Sequence, residues 1–189
     1  MRIGFGYDSH RFAEGRRLVL GGVEFPGETG LDGHSDADAL IHAIIDALFG
    51  AAALGDIGSH FPDDDERWRG ADSAKLLEAA VSELAAAGYR VVNVDSTVIC
   101  ERPRLGPKIG AIRERLAALL GVDVSCVSVK GKSNEGMDAV GAGFGLAVHA
   151  VALVAPLPGG EVFDILRANS PTVGGLKRMS RAPFPAKAD

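Results

Sequence analysis

The chain has 189 residues, 47% hydrophobic and 24% charged, with a formal net charge of −5. That is the balance of an ordinary globular protein, one domain or one domain with an appendage. An acidic chain with no basic stripe argues against nucleic-acid binding, and no apolar run approaches the length of a membrane span.

Arg2-Ile3-Gly4-Phe5-Gly6-Tyr7 reads as a strand from the second residue onward, which leaves nothing before it that resembles a cleavable leader. Asp8-Ser9-His10 continues it, and because residues i and i+2 share a face of a strand, Asp8 and His10 project together. Residues 17–25 are expected to form a second strand paired with residues 2–7, with Gly21-Gly22 marking a bulge or turn. Residues 26–33 form a loop leading to His34.

The run from Ser35 onward predicts the first helix. Ser35 suits the N-cap, and Asp38 stands at the capping-box spacing. Leu40, Ile41, Ile44, Ile45 and Leu48 make its core face. Asp38, His42 and Asp46 follow i, i+4 spacing and make a separate polar stripe that packing does not require. If the helix lies across the first strand, His42 joins Asp8 and His10 in a set whose nitrogen and carboxylate donors suit zinc, with one coordination position open. Asp38 or Asp46 would then orient His42 from its other ring nitrogen. A solvated helix face explains the same spacing without any metal, and sequence distance alone does not choose between them.

Residues 53–65 combine glycines, a proline and an acidic cluster without periodicity, as a binding loop or a solvated connector would. Asp72-Ser73 caps a helix to about Ala87, closed by Gly88. Val91–Cys100 is a β-branched strand. Arg102–Pro107 is a loop, a helix follows to about Leu120, and Cys126–Lys130 is another strand. Strand–helix–strand order favours a parallel pair. In the polar loop 131–136, Lys132 and Ser133 offer phosphate ligands and Glu135 a hard-cation ligand, although such a stretch is usually just a turn. Gly141–Gly145 is glycine-rich but no helix follows, so it is not a dinucleotide fingerprint. Leu146–Ala155 is an apolar strand, buried on both faces or paired with another subunit. From Pro156 the composition turns to Pro, Gly and basic residues, a tail in which Val162–Leu166 is the one short apolar piece. Cys100 and Cys126 are too few for a disulfide framework and read as buried thiols in a reducing cytoplasm.

Taken together, several motifs in fixed order resemble the 2-C-methyl-D-erythritol 2,4-cyclodiphosphate synthase family of the non-mevalonate isoprenoid pathway. They are Gly4–His10, Gly33–Asp38, His42 with Asp46, Ala51–Gly58, Phe61-Pro62-Asp63, Gly70–Ser73, Asn93–Asp95 and Val129-Lys130. The resemblance covers residues 1 to about 155 and leaves 156–189 as an appended tail. It implies an α/β fold of α+β two-layer type, a mixed sheet packed on helices, in a homotrimer whose strands line a central axis and whose active sites lie between neighbours. It implies that Asp8, His10 and His42 bind zinc, that His34 and Ser133 stabilise the transition state, and that Glu135 holds magnesium or manganese on the substrate diphosphate. Substrate contacts are implied for Ser9, Ser35, Asp56, Ile57, Gly58, Phe61, Pro62, Asp63, Asp64 and Asp65. The cytidine diphosphate pocket is implied at Cys100, Glu101, Arg102, Pro103, Arg104, Leu105 and Gly106, with Lys132 and Asn134. The chain departs from the common pattern at Lys132-Ser133-Asn134, at Gly136, and at Ala142 and Phe144, where many members carry Arg and Glu near the axis.

Overall fold

A computed structural model describes residues 1–158. The tail beyond them, including the apolar piece Val162–Leu166, lies outside the described residues.

The chain runs β1 (Arg2–Ala13), β2 (Val19–Leu20), β3 (Val23–Glu24), β4 (Gly30–Leu31), α1 (Ala39–Ala52), α2 (Ile57–His60), α3 (Ser73–Ala86), β5 (Tyr89–Ile99), α4 (Ile109–Leu120), β6 (Val127–Lys132), α5 (Asp138–Gly141) and β7 (Gly145–Pro156). Five strands form one sheet in the order β4-β1-β7-β5-β6. β7 lies antiparallel between β1 and β5, in register from Arg2↔Val154 to Arg11↔Gly145 on one side and, with a shift between Val91 and Asn93, paired from Tyr89↔Pro156 to Ile99↔Ala147 on the other. β5 and β6 are the parallel pair expected from their strand–helix–strand order. The sheet is therefore mixed, with helices packed against it, in agreement with the expected class.

Two expectations at the N-terminal end are corrected. Residues 17–25 do not pair with residues 2–7. β1 takes the long apolar strand β7 instead, and β2 and β3 pair with each other. Gly21 and Gly22, at φ +63° and +71°, are both left-handed, which makes the two-residue hairpin turn whose twist matches its strands. The first helix also begins three residues later than Ser35 suggested. Ala37 turns the chain at φ +58°, its N–H bonded to Ser35 Oγ at 3.1 Å, and the N-cap is Asp38. The buried Asp38 carboxylate accepts from Ile41 N–H at 3.1 Å, Gly21 N–H at 2.9 Å and Gly22 N–H at 2.7 Å. Burial pushes its pKa up to about 6, and those three N–H donors hold it back from rising further. The residue is thus a clamp between hairpin and helix.

Gly4 and Gly6 decide where α1 sits. Residues 4, 6, 8 and 10 share one face of β1, and the helix lies directly on the two glycines. A Cβ on Gly4 would stand 1.9 Å from the Ala47 carbonyl oxygen, and one on Gly6 1.9 Å from that of Ala43. Only hydrogen at both positions lets helix backbone touch strand backbone. The core then closes over the other side of α1 with Leu40, Ile41, Ile44, Ile45, Leu48 and Phe49, all fully buried. Each such side chain stabilises the fold by about 1.5–3 kcal/mol relative to an exposed one. The alternate residues of β1 face away from the helices, and Ile3, Phe5 and Tyr7 are 71%, 62% and 49% exposed.

Candidate metal centre and flanking clefts

The contact between α1 and β1 builds the centre. Past Gly4 and Gly6, the same face of β1 presents Asp8 and His10, while the first turn of α1 presents His42. Asp8 Oδ2 lies 3.0 Å from His10 Nε2 and 3.1 Å from His42 Nδ1. One donor atom from each of the three residues falls within 4.8 Å of the others. Ligands about 2.0–2.1 Å from a tetrahedral ion stand about 3.3 Å apart, close to the two distances from Asp8 to the histidines.

The ring nitrogens support that reading. His10 Nδ1 is 2.6 Å from the Asp32 carbonyl oxygen. A carbonyl only accepts, so Nδ1 carries the proton and the neutral ring keeps a lone pair on Nε2. Although His10 Nε2 is close to Asp8, its alignment leaves it a buried atom without a hydrogen bond. A buried lone pair facing a carboxylate and a second imidazole fits a divalent cation. Burial raises the pKa of Asp8, but polar contact with His10 and His42 and their charge outweigh it and hold the carboxyl well below its usual range. Burial lowers that of His10, and the Asp8 carboxylate and Asp32 carbonyl outweigh it in the other direction.

The polar stripe expected along α1 does not orient His42. Asp38 precedes the helix and is committed to the hairpin. Asp46, one turn below His42, accepts from Ile57 N–H at 2.8 Å and ties α2 to α1. Burial raises its pKa, partly offset by that N–H. The atoms at His42 Nε2 are instead Ser73 Oγ at 3.0 Å and Ser35 Oγ at 3.2 Å. Sequence spacing missed Ser73 because it lies on α3, 31 positions away. The one signal was its place in the Gly70–Ser73 motif, where it reads simply as a helix start.

A cleft of about 400 Å³ opens over the cluster, lined by Asp8, His10, His34, Ser35, His42, Asp46, Ile57, Gly58, Phe61 and Asp63, with Gly33, Trp68 and Leu76. His34 Nε2 lies 3.3 Å from the Asp65 carbonyl oxygen. Phe61 packs edge-on against Trp68 with ring centroids 5.2 Å apart. The Asp56 carboxylate caps α2 and accepts from Ser59 N–H and Oγ–H, and the Asp65 carboxylate is held by Arg67. Asp64 is exposed, Pro62 is half-buried, and neither lines the cleft. Ser9 alternates to the other face of β1 and is exposed.

The residues from the middle of the chain gather elsewhere. Cys100, Glu101, Pro103, Arg104, Leu105, Gly106, Lys132 and Ser133 line a second cleft of about 500 Å³, which shares no lining residue with the first. Arg102 is exposed beside it. Glu101 Oε1 accepts from Asn134 N–H at 2.9 Å, and Ser133 Oγ donates to Glu135 Oε1 at 2.6 Å. Glu135 sits in the left-handed region at φ +52°. Within one chain, then, Ser133 and Glu135 do not line the cleft that holds His34 and the triad. Cys100 and Cys126 are free, and burial, with Glu101 nearby, pushes the Cys100 thiol up to about 11, too high for a nucleophile at neutral pH.

Residues 1–155 match the YgbB family. A 2-C-methyl-D-erythritol 2,4-cyclodiphosphate synthase of Symbiobacterium thermophilum is 57% identical over 155 residues, 82% of this chain and 99% of its own. One from Laribacter hongkongensis is 58% identical over 154 residues, 82% of this chain and 95% of its own. Among solved structures, a CDP-bound synthase superposes with a TM-score of 0.75 at 39% identity, covering 82% of this chain and all of that one. The bifunctional IspDF of Campylobacter jejuni superposes with a TM-score of 0.80 at 35% identity, covering 82% of this chain and 42% of that longer one.

Proposed function

This chain belongs to the YgbB family of 2-C-methyl-D-erythritol 2,4-cyclodiphosphate synthases, and from that premise we infer how its residues divide the work. The reaction is that of a phosphorus–oxygen lyase. The 2-phosphate of 4-diphosphocytidyl-2-C-methyl-D-erythritol 2-phosphate forms a bond to the β-phosphorus of the same molecule. The β-phosphorus–oxygen bond to the nucleotide breaks, and CMP leaves with the cyclic diphosphate as the other product.

The nucleophile is already an anion, so the protein has little acid–base work to do. What it must overcome is repulsion between two phosphates and the entropy of bringing them together. We assign Asp8, His10 and His42 to one zinc ion, on the strength of their shared donor spacing and the orphaned His10 lone pair. When bound, that ion supplies positive charge to the diphosphate oxygens without a proton to account for. His34 stands at the same cleft, where giving up its contact with the Asp65 carbonyl would free its Nε2–H for a phosphate oxygen. The methylerythritol part rests on Ile57, Gly58, Phe61 and Asp63, with Ser35 at its phosphate end, whereas Ser9 and Asp64 face away from this cleft.

The second cleft takes the cytidine diphosphate part. Solved relatives are described with CDP bound, including one from Plasmodium falciparum, and this cleft offers Lys132, Arg104 and the Ser133 hydroxyl to such a ligand, with Arg102 exposed beside it. Glu135 is assigned to magnesium or manganese on the phosphates, and Asn134 braces the loop. Because the two clefts are separate in one chain, the site is completed between subunits of a homotrimer. The exposed apolar side of β1, with Ile3, Phe5 and Tyr7, is the surface such an assembly would cover. Residues 156–189 are a tail outside the catalytic domain. Among the described residues no helix is long and apolar enough to cross a membrane; the cytoplasmic setting is proposed from the free Cys100 and Cys126.

The carrying observation is the Asp8–His10–His42 cluster in the cleft. Incubation of the metal-loaded protein with the diphosphocytidyl substrate tests the assignment. CMP and cyclic diphosphate in equal amounts support it. Inorganic phosphate or CDP would indicate a hydrolase, and tight binding without turnover would indicate a binding protein.

A further inference from the structure

We propose that Ser73 and Asp36 are positioning residues that fix the tautomer of His42, so that Nδ1 presents a bare lone pair to the metal. The inference rests on the assignment of the triad to a metal ion.

The chain of donors runs in one direction only. Asp36 Oδ2 accepts from the Ser73 backbone N–H at 3.1 Å, and Asp36 Oδ1 accepts from Asp38 N–H at 3.2 Å. The Ser73 hydroxyl makes a short bond to the same carboxylate, on Oδ1. An ionised carboxylate has nothing to donate, so the single hydroxyl proton of Ser73 is spent there. Toward His42 the Ser73 oxygen can then act only as an acceptor. His42 Nε2, 3.0 Å away, must therefore carry the hydrogen. Ser35 Oγ, 3.2 Å from the same nitrogen, already accepts from Ala37 N–H. Its second lone pair can share the Nε2 hydrogen, and its own hydroxyl proton is the one competitor for that place, at the longer of the two contacts. With the proton held on Nε2, the neutral ring leaves Nδ1 free, and Nδ1 is the atom 3.1 Å from Asp8 Oδ2.

Burial makes the arrangement firm. Ser73 is fully buried, so no water can replace either bond without opening the contact between α1 and α3. The hydroxyl is also not needed to start its helix, because Asp72 is the N-cap and accepts from Ala74 N–H at 2.9 Å. Ser73 is thus free to serve His42. His10 reaches the same end by another route, its proton held by the Asp32 carbonyl. A backbone carbonyl holds the proton of His10, whereas a side-chain hydroxyl holds that of His42.

Zinc affinity by chelator competition on the full chain tests the proposal, with wild type and His42→Ala as references. Ser73→Ala is expected to weaken zinc binding by about 10–100-fold, the usual cost of losing an outer hydrogen bond to a metal-bound histidine. Ser73→Thr, which restores a hydroxyl, should recover most of that loss, and Asp36→Asn should fall between Ala and wild type. In the zinc-loaded wild type the His42 Nε2 proton should give a slowly exchanging NMR signal, absent in Ser73→Ala. If Ser73→Ala does not fold, Asp36→Asn and the wild-type proton signal still decide the matter. Unchanged affinity in Ser73→Ala and Asp36→Asn, or a wild-type spectrum with the proton on Nδ1, overturns the proposal. If His42→Ala also binds zinc like wild type, the metal assignment itself fails instead.

Discussion

The two clefts are built on opposite principles. Around the triad, every donor atom is held by a regular element or by a bond from the far side of its ring: Asp8 and His10 by β1, His42 by α1, His10 Nδ1 by Asp32 and His42 Nε2 by Ser73. Around residues 100–106 and 131–135, the polar groups stand on exposed loops and satisfy one another, Ser133 with Glu135 and Glu101 with Asn134. The first is organised before anything binds. The second, on the proposed reading, would exchange internal bonds for bonds to its ligand. Metal capture needs fixed geometry, whereas a nucleotide diphosphate brings enough charge to reorganise a loop.

The comparison breaks first at His42. His42→Ala is expected to remove the ion and reduce turnover by at least about a thousandfold, as loss of an electrostatic anchor for a transferring phosphoryl group does. Metal content and product formation check it, and zinc retained at full occupancy would contradict it. Gly6→Ala tests the support rather than the ligand. Its Cβ would meet the Ala43 carbonyl oxygen, so α1 must lift from β1. Destabilisation of about 3 kcal/mol is expected in urea melts, with weaker zinc binding although no ligand has changed. A Gly6→Ala protein with wild-type stability and affinity would show that the close approach does not set the cluster.

Glu135→Gln addresses the other cleft and should behave differently. The magnesium concentration for half-maximal activity is expected to rise about tenfold while zinc content stays at wild type. Loss of zinc in that variant would erase the distinction between the two regions.

The smallest expected effect is on pH dependence. In metal-free protein the Asp8 contribution is present above 3.8, its unfolded value, and is lost as pH falls through the depressed folded value. That of His10 is present below 6.5 and is lost as pH rises through its raised folded value. Metal displaces the proton from His10, so stabilisation by zinc grows as pH rises. The difference in melting temperature between loaded and metal-free protein should widen by about 3 °C from pH 6 to pH 8, roughly 1 kcal/mol at this chain length. A constant difference would mean that His10 is not in competition with protons.

Sequence periodicity carried the core helices, the long strands and the parallel β5–β6 pair, because each has a strong local pattern closed by Asp72 or Gly121. The i, i+2 spacing of Asp8 and His10 carried half of the centre. What it could not carry was long-range. The partner of β1 is β7, over a hundred residues away, and nothing local announces that pairing. Asp38 looked like part of a helical stripe because the turn at Ala37 has no strong sequence signal. The bond from His42 to Ser73 joins two helices through side chains that look ordinary where they stand.

Crystals of the protein soaked in zinc, with diffraction recorded at the zinc absorption edge, test the central claim most directly. The account predicts one anomalous peak per chain, about 2.0–2.2 Å from Asp8 Oδ2, His10 Nε2 and His42 Nδ1. A peak on other residues, or none at full zinc saturation, would contradict it.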